Sequence, residues 1–260
     1  MSLAAATAVI ADGPERYVAT IQPDWDILGN ANGGYFLAIA ARAASEAAGH
    51  LKPATVTAHF LAPGEPGHVT IETHVEKKGR RFTTVRATMS DTDRPLLSFL
   101  GSFTDQTATP DTVERIEAQP PAMPPPDDCV LVEPAGTFPP PFMGKVELRI
   151  HHEDATFAAG IPRFRGWFRL HDEEVIDSFG LLVAVDAFPP TVINAHLPIA
   201  WTPTLELTAH VRGRPQPGWL RCQFTTRFIT GGYLEEDGEV WDGSGQLVVQ
   251  SRQLALLPRS

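Results

Sequence analysis

Three polar residues fall where the surrounding pattern calls for apolar ones. Asp186 lies within the run LLVAVDAF, Thr202 stands between Trp201 and Pro203 at the mouth of a strand, and Gln250 lies in QLVVQSRQ. A carboxylate can accept a proton, and a hydroxyl and a carboxamide can give and take hydrogen bonds. Each residue also has a plain structural explanation. Asp186 would be ordinary at an exposed helix end before Pro189-Pro190, Thr202 as a strand-entry residue and Gln250 on an edge strand. Inside an apolar helix, however, Asp186 would be disfavoured both by desolvation and by the negative end of the helix dipole.

A second feature is the pair Gly33-Gly34, which follows Asn30-Ala31-Asn32 and opens an alanine-rich segment with almost no polar face. The first N–H groups of a helix lack intrahelical partners and favour negative charge. Glycines there leave those donors unobstructed, or simply allow a tight entry turn and close helix–sheet packing. Other chemistry finds little support. The chain has no G-x-S-x-G elbow, no phosphate-binding G-x-x-x-x-G-K-[ST] loop, no strand-linked G-x-G-x-x-G and no H-E-x-x-H. His151-His152-Glu153-Asp154 resembles a metal cluster in composition only, because no second ligand pair stands at helical spacing, and a solvated strand end or loop is the expectation.

These residues need a scaffold, and the pattern supplies one. Strand-like alternation marks 16–22, 55–62, 68–75, 82–89 and 96–103, with a nearly all-apolar helix over 34–48. The order recurs as a strand at 166–170, a helix over 174–188, and strands near 204–212, 219–229, 233–241 and 246–256. Between the two sets, 106–144 is rich in proline, including PPAMPPP at 120–126, and reads as a semi-rigid connector. Thr57-Ala-His matches Thr208-Ala-His, Pro66-Gly67 matches Pro217-Gly218, and the turn at 91–97 matches that at 242–248, all at one offset of 151 residues. Two copies of one module follow: residues 1–105, a linker over 106–145, and residues 146–260. Each is an enclosed helix wrapped by an antiparallel sheet, an α+β architecture of two tandem hot-dog modules.

The whole-chain numbers set limits. The 260 residues carry a net charge of −10, which argues against nucleic acid or anionic lipid as a general partner. No apolar run reaches the roughly 18 residues of a membrane span. Residues 3–11 lack a preceding Lys or Arg and are followed by Asp12-Gly13, so a cytoplasmic location is expected. Cys129 and Cys222 are too few for a disulfide framework and are expected to be reduced.

With this order and spacing, the chain resembles the TesB-like acyl-CoA thioesterases, a family with a double hot-dog fold, over roughly residues 16–257. In that family an Asp at the end of the second-module helix, a Thr at the start of the next strand and a Gln in the last strand hold the attacking water. On this sequence they fall on Asp186, Thr202 and Gln250. The family's Gly-Gly falls on Gly33-Gly34, and its F-L-x-P-G turn on Phe60-Leu61-Ala62-Pro63-Gly64. Two positions depart from the pattern: Tyr35 replaces a frequent Gln, and Ala62 a frequent Arg. The resemblance implies hydrolysis of a fatty acyl-CoA by activated water with Asp186 as base. It places Gly33, Gly34 and Tyr35 at the substrate, requires neither metal nor cofactor, and suggests a homo-oligomer. Two other functions suit the same architecture, a non-catalytic acyl-CoA-binding protein and an enoyl-CoA hydratase or dehydratase. The spacing of Asp186 and His196 does not match the D-x-N-P-x-H signature of the latter.

Overall fold

The computed structural model describes residues 1–257 except 93, 107–112, 114, 136–138, 158–159, 172–174 and 198–200. The turn residue Asp93, parts of the proline-rich stretch and Glu174 of the expected second helix therefore lie outside the described residues.

The principal elements of the first half are β1 (Arg16–Ile21), α1 (Gly33–Ala47), β2 (Lys52–Phe60), β3 (Gly67–Lys78), β4 (Thr83–Asp91) and β5 (Arg94–Thr104). The second half holds β6 (Val146–Ile150), β7 (Arg163–Leu170), α2 (Ser178–Ala184), β8 (Thr204–Val211), β9 (Leu220–Thr225), β10 (Tyr233–Trp241) and β11 (Leu247–Leu256). Strand β6 is additional to the pattern read from the sequence. Among the described residues one antiparallel sheet runs in the order β1-β3-β4-β5-β2-β8-β11-β10-β9-β7-β6, closed at either end by a two-residue strand, Ile10–Ala11 and Val130–Leu131.

The two halves join where β2 pairs with β8. Thr57 lies opposite Thr208, with the two hydroxyl oxygens 2.8 Å apart. These are the matched threonines of the internal repeat, so equivalent residues meet at a local two-fold axis. Helix α1 carries buried alanines at 38, 40, 41, 43 and 44, whose small side chains let both the sheet and α2 approach.

Helix α2 is shorter than the 174–188 read from the apolar run. Asp177 caps it by accepting hydrogen bonds from the Phe179 and Gly180 N–H groups, and it ends at Ala184. Asp186 consequently lies one residue beyond the C-cap Val185, outside the helix. The His151–Asp154 segment is a turn after β6 with His152 and Glu153 exposed, but its ends are not solvated. Asp154 is buried and held by Arg163 at 3.1 Å and Arg165 at 2.8 Å. Burial works to raise the Asp154 pKa, but the hydrogen bonds and charges of Arg165 and Arg163 outweigh it and hold the carboxyl below its usual range.

Candidate active site

The N-terminus of α1 is built by Asn32. Its Oδ1 accepts from the Tyr35 N–H at 2.9 Å, which caps the helix, and its Nδ2 donates to Asp186 at both the backbone carbonyl (2.8 Å) and Oδ2 (3.1 Å). The Gly34 N–H donates to the same Oδ2 at 2.8 Å. The unpaired donors at the helix start therefore face a carboxylate of the other half of the chain. This also offsets the electrostatic objection to Asp186, which follows the negative end of its own helix but turns its carboxylate to the positive end of α1.

The two glycines face different neighbours. A Cβ on Gly34 would lie 2.5 Å from the Leu182 carbonyl oxygen, and one on Gly33 would lie 2.8 Å from Asp186 Oδ2. The first contact reports the close crossing of α1 over α2, and the second reports the approach of the carboxylate.

Burial is the largest influence on Asp186 and raises its pKa from 3.8 to about 7. The Gly34 N–H opposes that rise, the charge of Glu236 adds to it, and the Gly33 N–H and the Asn32 amide oppose it. The outcome is a carboxyl group that titrates near neutrality, the range suited to a general base.

Asp186 lines a cavity of about 470 Å³, within the roughly 300–1,000 Å³ typical of small-molecule sites. Its walls are mainly apolar, including Phe36, Phe60, Phe188, Ile193 and Leu234, and the exposed Leu28, Leu61 and Trp201 also line it. The polar wall includes Asn32, Asp186, Thr202, Thr204, Glu236 and Gln253.

The sequence-derived residues are distributed unevenly around this cavity. Asp186, Thr202 and Gly33 line it. Gly34 sits behind it, with its N–H committed to Asp186. Tyr35 is a correction. Its ring is fully buried and stacks on Trp25 at 4.9 Å, its hydroxyl donates to the Ala6 carbonyl and accepts from the Gln22 N–H, and burial lifts its pKa to about 12. It packs the core and does not reach the cavity.

Gln250 is also displaced. It lies on the outer face of the sheet, where its Oε1 accepts from Arg212 at 2.8 Å and 3.0 Å. The glutamine that enters the cavity is Gln253. The cause is a β-bulge. Val240 pairs with Val249 but Trp241 with Leu247, so Val248 is an extra residue on β11. Val248 and Val249 are both buried, and beyond them the inward phase falls on Val249, Gln253 and Ala255. Counting in twos from Val248 leads to Gln250 and misses the phase change.

A second bulge acts on β8. Thr204 pairs with Ala255 and Glu206 with Leu254, leaving Leu205 extra. Without it, Thr204 would share the outward face of Glu206 and Thr208. With it, Thr204 turns inward, and its hydroxyl donates to Gln253 Oε1 at 2.8 Å.

Gln253 Nε2 donates in turn to Oε1 of Glu236, the residue directly opposite on β10, at 2.7 Å, and Glu236 Oε2 accepts from the Thr191 N–H at 2.9 Å. Glu236 is 4% exposed, and burial raises its pKa. Sequence reading missed Asn32, Thr204, Glu236 and Gln253. Two of them carried a usable signal. Asn32 precedes a helix with a favourable cap side chain, and Glu236 interrupts the apolar phase of Leu234, Gly238 and Val240.

Comparison with known proteins agrees with this architecture. Residues 21–104 match the family model of the acyl-CoA thioesterase N-terminal domain, and residues 126–257 that of the C-terminal domain. A crystal structure of a candidate thioesterase II from Thermobifida fusca YX is 32% identical and superposes with a TM-score of 0.89, covering 99% of this chain and 97% of that one. A protein of unknown function with a hot-dog fold from Alicyclobacillus acidocaldarius is 22% identical, with a TM-score of 0.87 over 99% and 98% of the two chains. An uncharacterized protein of Mycobacterium tuberculosis H37Rv is 28% identical over 90% of this chain and 88% of its own length. Matched by both domain models along most of its length, and folded as two hot-dog units in one sheet, the chain belongs to the TesB-like acyl-CoA thioesterase family.

Proposed function

We propose that this protein hydrolyses a fatty acyl-CoA thioester by direct attack of water, with Asp186 as general base and Thr204 and Gln253 as the groups that orient the water. The observation that carries this reading is one apolar-walled cavity that holds a carboxyl titrating near pH 7 beside a hydroxyl–carboxamide pair joined at 2.8 Å.

In the attack, the water oxygen bonds to the thioester carbonyl carbon as its proton passes to Asp186. The carbon–sulfur bond then breaks, and the departing thiolate takes the proton back from Asp186. The products are a free acid and the CoA thiol, and no acyl-enzyme forms. The α1 N-terminus acts on the base in this scheme. Its N–H groups favour the charged carboxylate and so offset the burial that would otherwise hold it protonated. Thr202 lines the same cavity and is assigned to the wall. The apolar walls take the acyl chain, each buried methylene contributing about 0.8 kcal/mol.

The test is thiol release from a panel of acyl-CoAs of increasing chain length. Release that is abolished in Asp186→Asn is expected. Saturable binding with no thiol from any member would replace the enzyme reading with that of a binding protein.

A further inference from the structure

Glu236 is a buried carboxylate in the cavity wall that the hydrolytic steps do not use. Its surroundings are fixed on both sides. The Thr191 backbone N–H, a donor that cannot reverse, occupies Oε2, and the Gln253 carboxamide occupies Oε1. A carboxamide fits its site either way round, since its oxygen and nitrogen ends have nearly the same shape. What selects an orientation is the partner at each end. The partner at the far end here is the Thr204 hydroxyl, which can donate or accept and selects nothing by itself.

We infer that Glu236 is a positioning residue that fixes which way round the Gln253 carboxamide sits, and through it the direction of every hydrogen bond from β10 to the attacking water. The inference rests on the hydrolytic reading of this cavity. Ionised Glu236 can only accept. Gln253 must therefore turn Nε2 toward it and Oε1 toward Thr204. Thr204 must then spend its proton on Gln253 and present lone pairs to the water. A water that gives one hydrogen to Asp186 and the other to Thr204 keeps its own lone pair for the carbonyl carbon.

The substitution Glu236→Gln inverts this order for a definite reason. The Thr191 N–H claims the new side-chain oxygen, so the new NH₂ group faces Gln253. Gln253 must turn its oxygen to that NH₂ group and its own NH₂ group to Thr204. Thr204 then accepts from Gln253 and directs its proton at the water, competing for the lone pair that should attack. Protonation of Glu236 on Oε1 imposes the same inversion, because that oxygen must then donate to Gln253.

The charged and titratable groups around this pair are few. Asp186 is faced by the Gly33 and Gly34 N–H groups and the Asn32 amide from α1, and by Glu236 from β10. Glu236 is faced by Thr191, Gln253 and its neighbour Glu235.

The experiment measures kcat, KM and the pH profile of thiol release for wild type, Glu236→Gln, Asp186→Asn and the double variant Glu236→Gln/Gln253→Glu, each confirmed as folded by circular dichroism. Glu236→Gln is expected to lower the kcat plateau roughly tenfold to a hundredfold, the scale on which misoriented reacting groups slow enzymes. KM should stay within about threefold, because Glu236 is not called on to hold the acyl chain. The acidic limb should move to lower pH, since the Glu236 charge is one of the influences that raise Asp186. The double variant exchanges the two side chains. It restores an acceptor opposite β10, which takes hydrogen bonds from both the newly introduced NH₂ group and the Thr204 hydroxyl, and should recover part of the lost kcat. A Glu236→Gln plateau within threefold of wild type, or a double variant no faster than the single one, overturns the inference. Full activity in Asp186→Asn overturns the hydrolytic reading instead, so the two failures are distinct.

Discussion

At the scale of single residues, the site turns on how Asp186 is balanced between burial and the donors at the start of α1. A base that titrates near pH 7 loses its active form as the pH falls, so thiol release should rise through about pH 7 and level off above it. Asp186→Asn removes the proposed base and should lower kcat by about 10²–10⁴-fold. The same shift has a consequence for stability. Folded Asp186 keeps its proton up to about pH 7, whereas in the unfolded chain it is released near 3.8. The folded state thus binds more protons between those values, so stability declines as the pH rises across that window and stays lower above it. A thermal melt at pH 8 should accordingly show Asp186→Asn melting above wild type while being inactive. The two glutamines provide a further check. Gln253→Ala breaks the link between Thr204 and Glu236 and should cost roughly a hundredfold in kcat. Gln250→Ala, which removes the hydrogen bonds from Arg212 on the outer face, should leave kcat within about twofold under the same assay.

At the scale of elements, the Asp186 carboxyl group is placed by the crossing of two helix ends. The Gly34 and Gly33 positions should separate packing from chemistry. A methyl at Gly34 would meet the Leu182 backbone carbonyl at 2.5 Å, which cannot move without shifting α2. Overpacking of this kind costs about 1–3 kcal/mol, so Gly34→Ala should lower the melting temperature as well as activity. A methyl at Gly33 meets Asp186 Oδ2 and the Phe60 ring, both side chains that can give way. Gly33→Ala should therefore reduce kcat far more than it reduces melting temperature. The strands add a second kind of placement. Thr204 and Gln253 reach the cavity because each follows or precedes a bulge that changes the phase of its strand.

At the scale of the whole molecule, neither half holds a complete site. Asn32, Gly33 and Gly34 come from the first half, and Asp186, Thr204, Glu236 and Gln253 from the second. The β2–β8 pairing makes the sheet continuous, and α1 packs against α2 across the same boundary. Calorimetry of the intact chain should therefore show a single cooperative transition and not two separate ones. Residues 1–105 produced alone would leave the β2 edge unpaired and the alanine face of α1 uncovered, and should aggregate or melt without cooperativity.

Much of this protein was determined by local sequence. Alternation marked most of the strands, the apolar run marked α1, Asp186 stood out as a carboxylate in an apolar context, and the repeat at one offset implied two modules before any pairing was known. Those features depend on near neighbours in the chain, and near neighbours are what a sequence displays. The extent of α2 was misjudged because composition continues past Asp177, while the hydrogen bonds that cap the helix do not. Tertiary structure alone decided that Gln253 and not Gln250 faces the cavity, that Thr204 turns inward, and that Tyr35 is buried in the core. A bulge is an extra residue relative to a partner strand, so it has no meaning until the partner is present. The same holds for Asp186, whose proton affinity is raised by burial and tempered by donors more than 150 positions away along the chain, the Gly34 N–H and the Asn32 amide.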